Sequence, residues 1–174
     1  MSVHKAESDK LLRHFIERTK IGWRHRAVLY TTVGAVWLTG LGWLLLRKFG
    51  AGADAFGETA NPLEPLILKA HGAAAMLFMV VFGTLIPVHM RRSWALKRNR
   101  ASGAVLGGLC LFLIASGWGL YYLAGEGGRA VVARLHWALG LALPAVIFAH
   151  ILIWRAIKKR SNEDAPVPLF RGKS

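Results

Sequence analysis

Cysteine is almost missing from this chain: Cys110 is alone among 174 residues. One thiol cannot close an internal disulfide, and the Cys-x-x-Cys-His signature of covalent haem attachment is absent. Acidic residues are also scarce, nine Asp and Glu against 23 Lys and Arg. None of them lies within four long apolar stretches, Ala27–Leu46, Leu66–Met90, Ala101–Ala124 and Leu135–Trp154. Serine and acidic residues nowhere meet histidine in a recognisable catalytic motif, so the chain shows no soluble hydrolase or acid–base constellation. A cleavable signal peptide is lacking too. The N-terminus reads as a charged arm followed by a helix long enough to serve as an uncleaved anchor.

What is present is hydrophobicity in blocks. A bilayer core requires roughly 20 apolar residues per helix, and each of the four stretches meets that length, with Lys69 the only formal charge among them. Lipid forces every backbone group to be satisfied within a helix or a closed barrel. The expected fold is therefore all-α, an integral membrane four-helix bundle running up-down-up-down.

The net charge of +14 suggests a nucleic-acid binder until its distribution is considered. Seven Lys and Arg precede the first helix, from Lys5 to Arg26. Five more (Arg91, Arg92, Lys97, Arg98, Arg100) fill the link between helices two and three, and six follow the fourth. Only Arg47, Lys48, Lys69, Arg129 and Arg134 lie near the other side. This is the positive-inside asymmetry; it places both termini in the cytoplasm. The basicity is a topology signal with some affinity for anionic lipid, and nucleic acid is not an expected partner.

The expected organisation is a cytoplasmic arm over residues 1–24, a transmembrane domain over 25–156 and a flexible cytoplasmic tail over 157–174. Within the arm, Leu11, Leu12, Phe15 and Ile16 share one face behind Ser8 as a plausible N-cap, the pattern of an interfacial amphipathic helix. The Gly-, Ala- and Pro-containing segment 49–65 reads as an outside loop, and 125–134 bounds a second, shorter one. A weak internal echo joins TGLGW (Thr39–Trp43) to SGWGLYY (Ser116–Tyr122), and KAHGAAA to RLHWALG. It suggests two related hairpins, each with its histidines on the second helix.

Against so few charges the histidines stand out. His71 and His136 lie near the outer ends of helices two and four, His89 and His150 near the inner ends, and His25 at the inner end of helix one. An ionisable group in lipid is costly and marks a functional site by default. One such histidine could be a packing residue, but five in two layers argue otherwise. His136 and His150 are separated by 14 residues, which leaves them about 40° out of register and about 21 Å apart. His71 and His89 are separated by five whole turns, about 27 Å. Helices two and four run in the same direction, so His71 can face His136 and His89 can approach His150. A pair of neutral imidazoles on facing helices is what a six-coordinate haem iron needs. Zinc or copper prefers ligands clustered at one depth, often with carboxylate or thiolate, and a proton relay would recruit Asp or Glu. Gly72, Gly140 and Ala73–Ala75 would let a macrocycle approach, or simply let helices pack closely.

These residues resemble the bacterial cytochrome b561 family and the small four-helix membrane proteins grouped with it. LHWALGLALPAVIFAHILIW (135–154) is similar to the family's fourth helix, LKAHGAAA to the opening of its second, and WRHRAVLYTTVGAVWLTG (23–40) to its first, in which an inner histidine precedes a Thr-Gly or similar pair. The resemblance covers 23–155. It implies haem b, two groups or else one, with His71 and His136 on the outer haem and His25 and His150 on the inner. His89, in PVHMRRSW, departs from that pattern and competes with His25 for one position. Its geometry leaves a mismatch of about 6 Å against helix four, which a kink at Pro87 would partly absorb. The implied function is transmembrane electron transfer between quinone/quinol and a redox partner such as a c-type cytochrome. The alternatives are a membrane anchor or assembly subunit of a larger redox complex, with or without haem, and a small transporter, for which the midplane offers little beyond Pro87 and Pro144.

Overall fold

The computed structural model describes residues 22–50, 52–54, 57–59, 61–95 and 99–163. Of the expected amphipathic arm, 1–24, residues 1–21 lie outside them, as does the end of the tail from 164, and Trp23 and Arg24 already belong to the first helix. The described residues form α1 (Trp23–Phe49), β1 (Gly52–Asp54), β2 (Gly57–Thr59), α2 (Glu64–Leu85), a π-helical turn (Ile86–Met90), α3 (Arg91–Ala95), α4 (Arg100–Tyr122) and α5 (Glu126–Glu163). Four of these, α1, α2, α4 and α5, are long and apolar enough to cross a membrane.

Little of their apolar surface is buried. At most 17% of the most apolar window of any of the four is buried, and Leu38, Met76, Leu77, Val80 and Val105 are all exposed. In water such faces would have to be covered; in lipid the acyl chains solvate them, and the internal backbone hydrogen bonds become the binding constraint. What is buried follows helical spacing. Ala74, Phe78, Phe82 and Leu85 form one stripe on α2, with the Phe78 and Phe82 rings stacked at 5.6 Å between centroids. The i, i+4 geometry of a helix puts such residues one above the other.

The chain divides into two compact units, Met1–Leu96 and Lys97–Ser174, the division that the internal echo suggests. In the first, Gly42 meets Ile67 and Gly40 meets His71, while His25 meets Thr84. Positions that rise along α1 fall along α2, so the two helices are antiparallel. In the second, Ser116 meets His136 and Ser102 meets His150, so α4 and α5 are antiparallel as well.

Expectations change at three places. Segment 49–65 contains an antiparallel strand pair, with Gly52 opposite Thr59 and Asp54 opposite Gly57. It is closed by Asn61, whose side-chain Nδ2 donates to the Gly50 carbonyl at 3.2 Å and whose Oδ1 accepts from the Leu63 N–H at 3.0 Å. The second connection shrinks to residues 123–125 because α5 already starts at Glu126, an acidic first-turn residue that favours a helix N-terminus. At its other end α5 continues through Glu163, so the first part of the expected flexible tail is helical. With 38 residues α5 is about 57 Å long, well beyond a hydrocarbon core of about 30 Å.

The third change is at Pro87. The kink expected there takes the form of the π turn Ile86–Met90, with Pro87 in its first positions. A proline lacks the N–H for the i→i−4 ladder and crowds the preceding turn, and a wider i→i+5 turn relieves both. Consequently His71 and His89 are not separated by five whole α-helical turns, because the last part of the path is wound differently.

Candidate histidine sites

Three imidazoles have the same kind of seat. His71 on α2 is half-buried, and its Nδ1 lies 3.0 Å from the carbonyl oxygen of Val36 and 3.2 Å from Thr39 Oγ1. A carbonyl can only accept, so Nδ1 carries the hydrogen. Thr39 directs its own hydroxyl hydrogen to the Ala35 carbonyl one turn back, at 2.6 Å, which leaves its oxygen to accept as well.

His136 on α5 repeats the arrangement. Its Nδ1 is 2.8 Å from Ser116 Oγ, and that hydroxyl donates to the Leu113 carbonyl at 3.2 Å. His150, further along α5, has Nδ1 2.9 Å from Ser102 Oγ, which donates to Asn99 Oδ1 at 2.5 Å. In each seat the hydroxyl has an acceptor other than the ring within reach, and with its hydrogen given there the ring nitrogen donates. The Val36 carbonyl assigns His71 the Nδ1–H tautomer, in which Nε2 is the basic nitrogen, and the serine seats of His136 and His150 accommodate the same form. Metal-bound histidines characteristically donate their other ring N–H to such an acceptor.

A glycine follows each hydroxyl: Thr39-Gly40, Ser116-Gly117 and Ser102-Gly103. A Cβ at Gly40 would lie 3.0 Å from His71 Cε1 and one at Gly117 3.1 Å from His136 Cε1, against 3.8 Å between Gly103 and His150 Cε1. The first two rings lie so close to the backbone of the facing helix that a Cβ there would require the ring to give by a few tenths of an ångström. Gly117→Ala is therefore expected to push the His136 ring off Ser116, seen as a changed histidine 15N resonance in the labelled protein. Gly103→Ala, with ordinary van der Waals space, should leave His150 unchanged. Equal effects at the two positions would contradict the close-packed seat.

No family model, curated protein or solved structure matches this chain. The site is accordingly argued from its own geometry.

The other two histidines differ. His25 on α1 is half-buried and uses Nε2, 3.2 Å from Thr84 Oγ1. Thr84 donates to the Val81 carbonyl at 2.6 Å, which makes it the acceptor and gives His25 the opposite tautomer. His89 is exposed within the π turn. Among the described residues no three His, Cys, Asp or Glu side chains come close enough to hold a metal ion together. A site drawing on isolated imidazoles, as haem does, does not need such a cluster.

Further groups bear on the same regions. Trp37, on the turn of α1 that seats His71, has its indole N–H buried without a hydrogen-bond partner among the described residues. A buried, unsatisfied donor in low dielectric costs on the order of 1–3 kcal/mol. Arg47 Nη1 reaches Glu64 Oε2 at 3.4 Å where α1 and α2 are joined. Arg47 is largely exposed, and such a pair contributes little to stability. Gly140, which would make room either for a macrocycle or for close helix packing, has Leu113 Cδ2 at 3.9 Å from the place of a Cβ, an ordinary packing distance.

The hydroxyl residues are what sequence reasoning missed. Thr39 and Ser116 lie within the echo TGLGW/SGWGLYY, directly before a glycine, and that repeated pair was the available signal. Ser102-Gly103 has no such echo, and nothing in the sequence ties it to a residue 48 positions away.

Proposed function

We propose that this chain is a b-type haem protein of the cytochrome b561-like kind. In this reading it is a four-helix, up-down-up-down bundle in a bacterial inner membrane, with both termini cytoplasmic. It passes electrons between quinone/quinol and a redox partner such as a c-type cytochrome. The observation that carries the reading is the shared seat of His71, His136 and His150: imidazoles in apolar helices, each with Nδ1 within hydrogen-bond distance of a protein oxygen.

The donor set suits haem. Neutral Nε2 nitrogens are its usual axial ligands in bundle proteins, and rings fixed through Nδ1 lose little freedom on binding. His71, His136 and His150 would hold the groups, with His25 as the fourth ligand in preference to His89. Bound haem iron supplies one-electron chemistry, alternating between ferric and ferrous states. The protein's own part is to orient the imidazoles, to keep water away by placing them in helices that lipid covers, and to present cytoplasmic arginines to anionic groups. Both the positive-inside charge pattern and the four apolar helices support the membrane placement.

The test is a pyridine haemochrome assay with a reduced-minus-oxidised spectrum on the purified, detergent-solubilised full chain. Two b-type haems per chain are expected. A well-folded preparation without haem would overturn the cytochrome reading.

A further inference from the structure

The seat of His150 has a third member that the other two lack. Asn99 precedes α4 with φ 49° and ψ 37°, the only positive-φ residue other than glycine among those described. Asparagine tolerates this left-handed conformation better than most residues. Its side chain makes no capping bond to the helix backbone. Instead Oδ1 accepts the Ser102 hydroxyl at 2.5 Å, and Nδ2 approaches the His150 carbonyl at 3.5 Å. An asparagine at this place would ordinarily satisfy an N–H of the first turn; here it is used on the serine that holds the histidine.

We infer that Asn99 is a positioning residue for His150, acting through Ser102 to select the protonation form of the ring. A hydroxyl has one hydrogen and can give it either to Asn99 Oδ1 or to His150 Nδ1. With Asn99 taking that hydrogen, Ser102 must accept from the ring, so Nδ1 is protonated and Nε2 is the basic nitrogen. Without the Asn99 acceptor the hydroxyl is at liberty to turn and donate to Nδ1, opposed only by the Ser102 backbone, which also faces the ring. The ring then carries its hydrogen on Nε2 and is no longer in the form that ligates iron. Thr39 and Ser116 need no such helper, because each donates to a carbonyl of its own helix. The functional consequence rests on the proposal that His150 ligates haem, whereas the tautomer selection does not.

Three substitutions separate this role from a backbone one. Asn99→Asp keeps both an acceptor and tolerance of positive φ. Asn99→Gly keeps the backbone conformation, more easily than asparagine does, but removes the acceptor. Ser102→Ala removes the intermediary. The measurement is the histidine 15N spectrum of the labelled full chain, produced without added haem, with the His150 signal assigned by its loss in His150→Gln. A second readout is the rate at which haem passes from the loaded chain to apomyoglobin.

The wild-type chain and Asn99→Asp should show the Nδ1–H form. In Asn99→Gly the ratio of Nδ1–H to Nε2–H should fall at least fivefold, and haem loss from one site should quicken by a similar factor. A wild-type ratio in Asn99→Gly overturns the inference, as does an Asn99→Asp spectrum altered as much as that of Asn99→Gly. Should Asn99→Gly fail to fold, Ser102→Ala decides: an unchanged ratio there overturns the inference, and a loss of the Nδ1–H preference upholds it. A wild-type chain that takes up no haem defeats the cytochrome reading alone, since the 15N spectra still decide the role of Asn99.

Discussion

Replacing His136 by alanine is expected to lower bound haem from two equivalents per chain to one. Alanine removes the donor nitrogen outright, and neither Ser116 nor Gly117, the residues that hold the ring, can replace it. The folding of α5 gives little reason for a confounding effect. Alanine is the best helix former, and a half-buried imidazole contributes little packing. His71→Ala should cause the same loss if the two histidines share an iron, as the expected pairing has it, and the double variant should lose no more than either single one. Such non-additivity is the mark of residues acting on one group. Ser116→Ala, which removes only the Nδ1 acceptor, should retain the haem but hold it less firmly, in line with the 10- to 100-fold losses typical of outer-shell changes. Haem content unchanged in His136→Ala would sink the assignment of this ligand.

His25→Ala is expected to remove the other haem, and His89→Ala to leave both in place. The case for His25 is its half-buried position against α2; His89 is exposed in the π turn, where the altered winding takes it off the phase of His71. His25 has to change before it can bind iron, however. Its Nε2–H is donated to Thr84, so ligation through Nε2 requires that bond to be given up. Thr84→Val should therefore leave haem content at the wild-type level or bind haem more tightly. Reduced-minus-oxidised spectra on the three variants check this. Loss of haem in His89→Ala with retention in His25→Ala would transfer the fourth position to His89.

How much of this was legible depended on the range of the interaction involved. The helices could be read because hydropathy is a local property: a stretch such as Ala101–Ala124 commits to lipid whatever it packs against. The histidines stood out for the same reason, since an imidazole is conspicuous where its neighbours are apolar. Helix ends were less legible. Segment 125–134 contains Gly127, Gly128 and Arg129, which look like loop residues, yet α5 includes them, since Glu126 favours a helix start. The π turn at Pro87 was visible only as a kink, because the choice between breaking, bending and widening a helix depends on how the freed carbonyls are satisfied.

The sequence by itself determined four helices long and apolar enough to cross a membrane, positive charge gathered at their ends, and histidines among the few polar groups placed within. These follow from transfer free energies and charge counts, which are sums over residues and indifferent to the fold. Only the tertiary structure decided how each imidazole is held. The hydrogen on a histidine ring is set by the atom opposite it, and those atoms, the Val36 carbonyl and the hydroxyls of Thr39, Ser116 and Ser102, come from 20 to 48 residues away. Direction at a distance of about 3 Å is a property of packing, so no count of residues contains it.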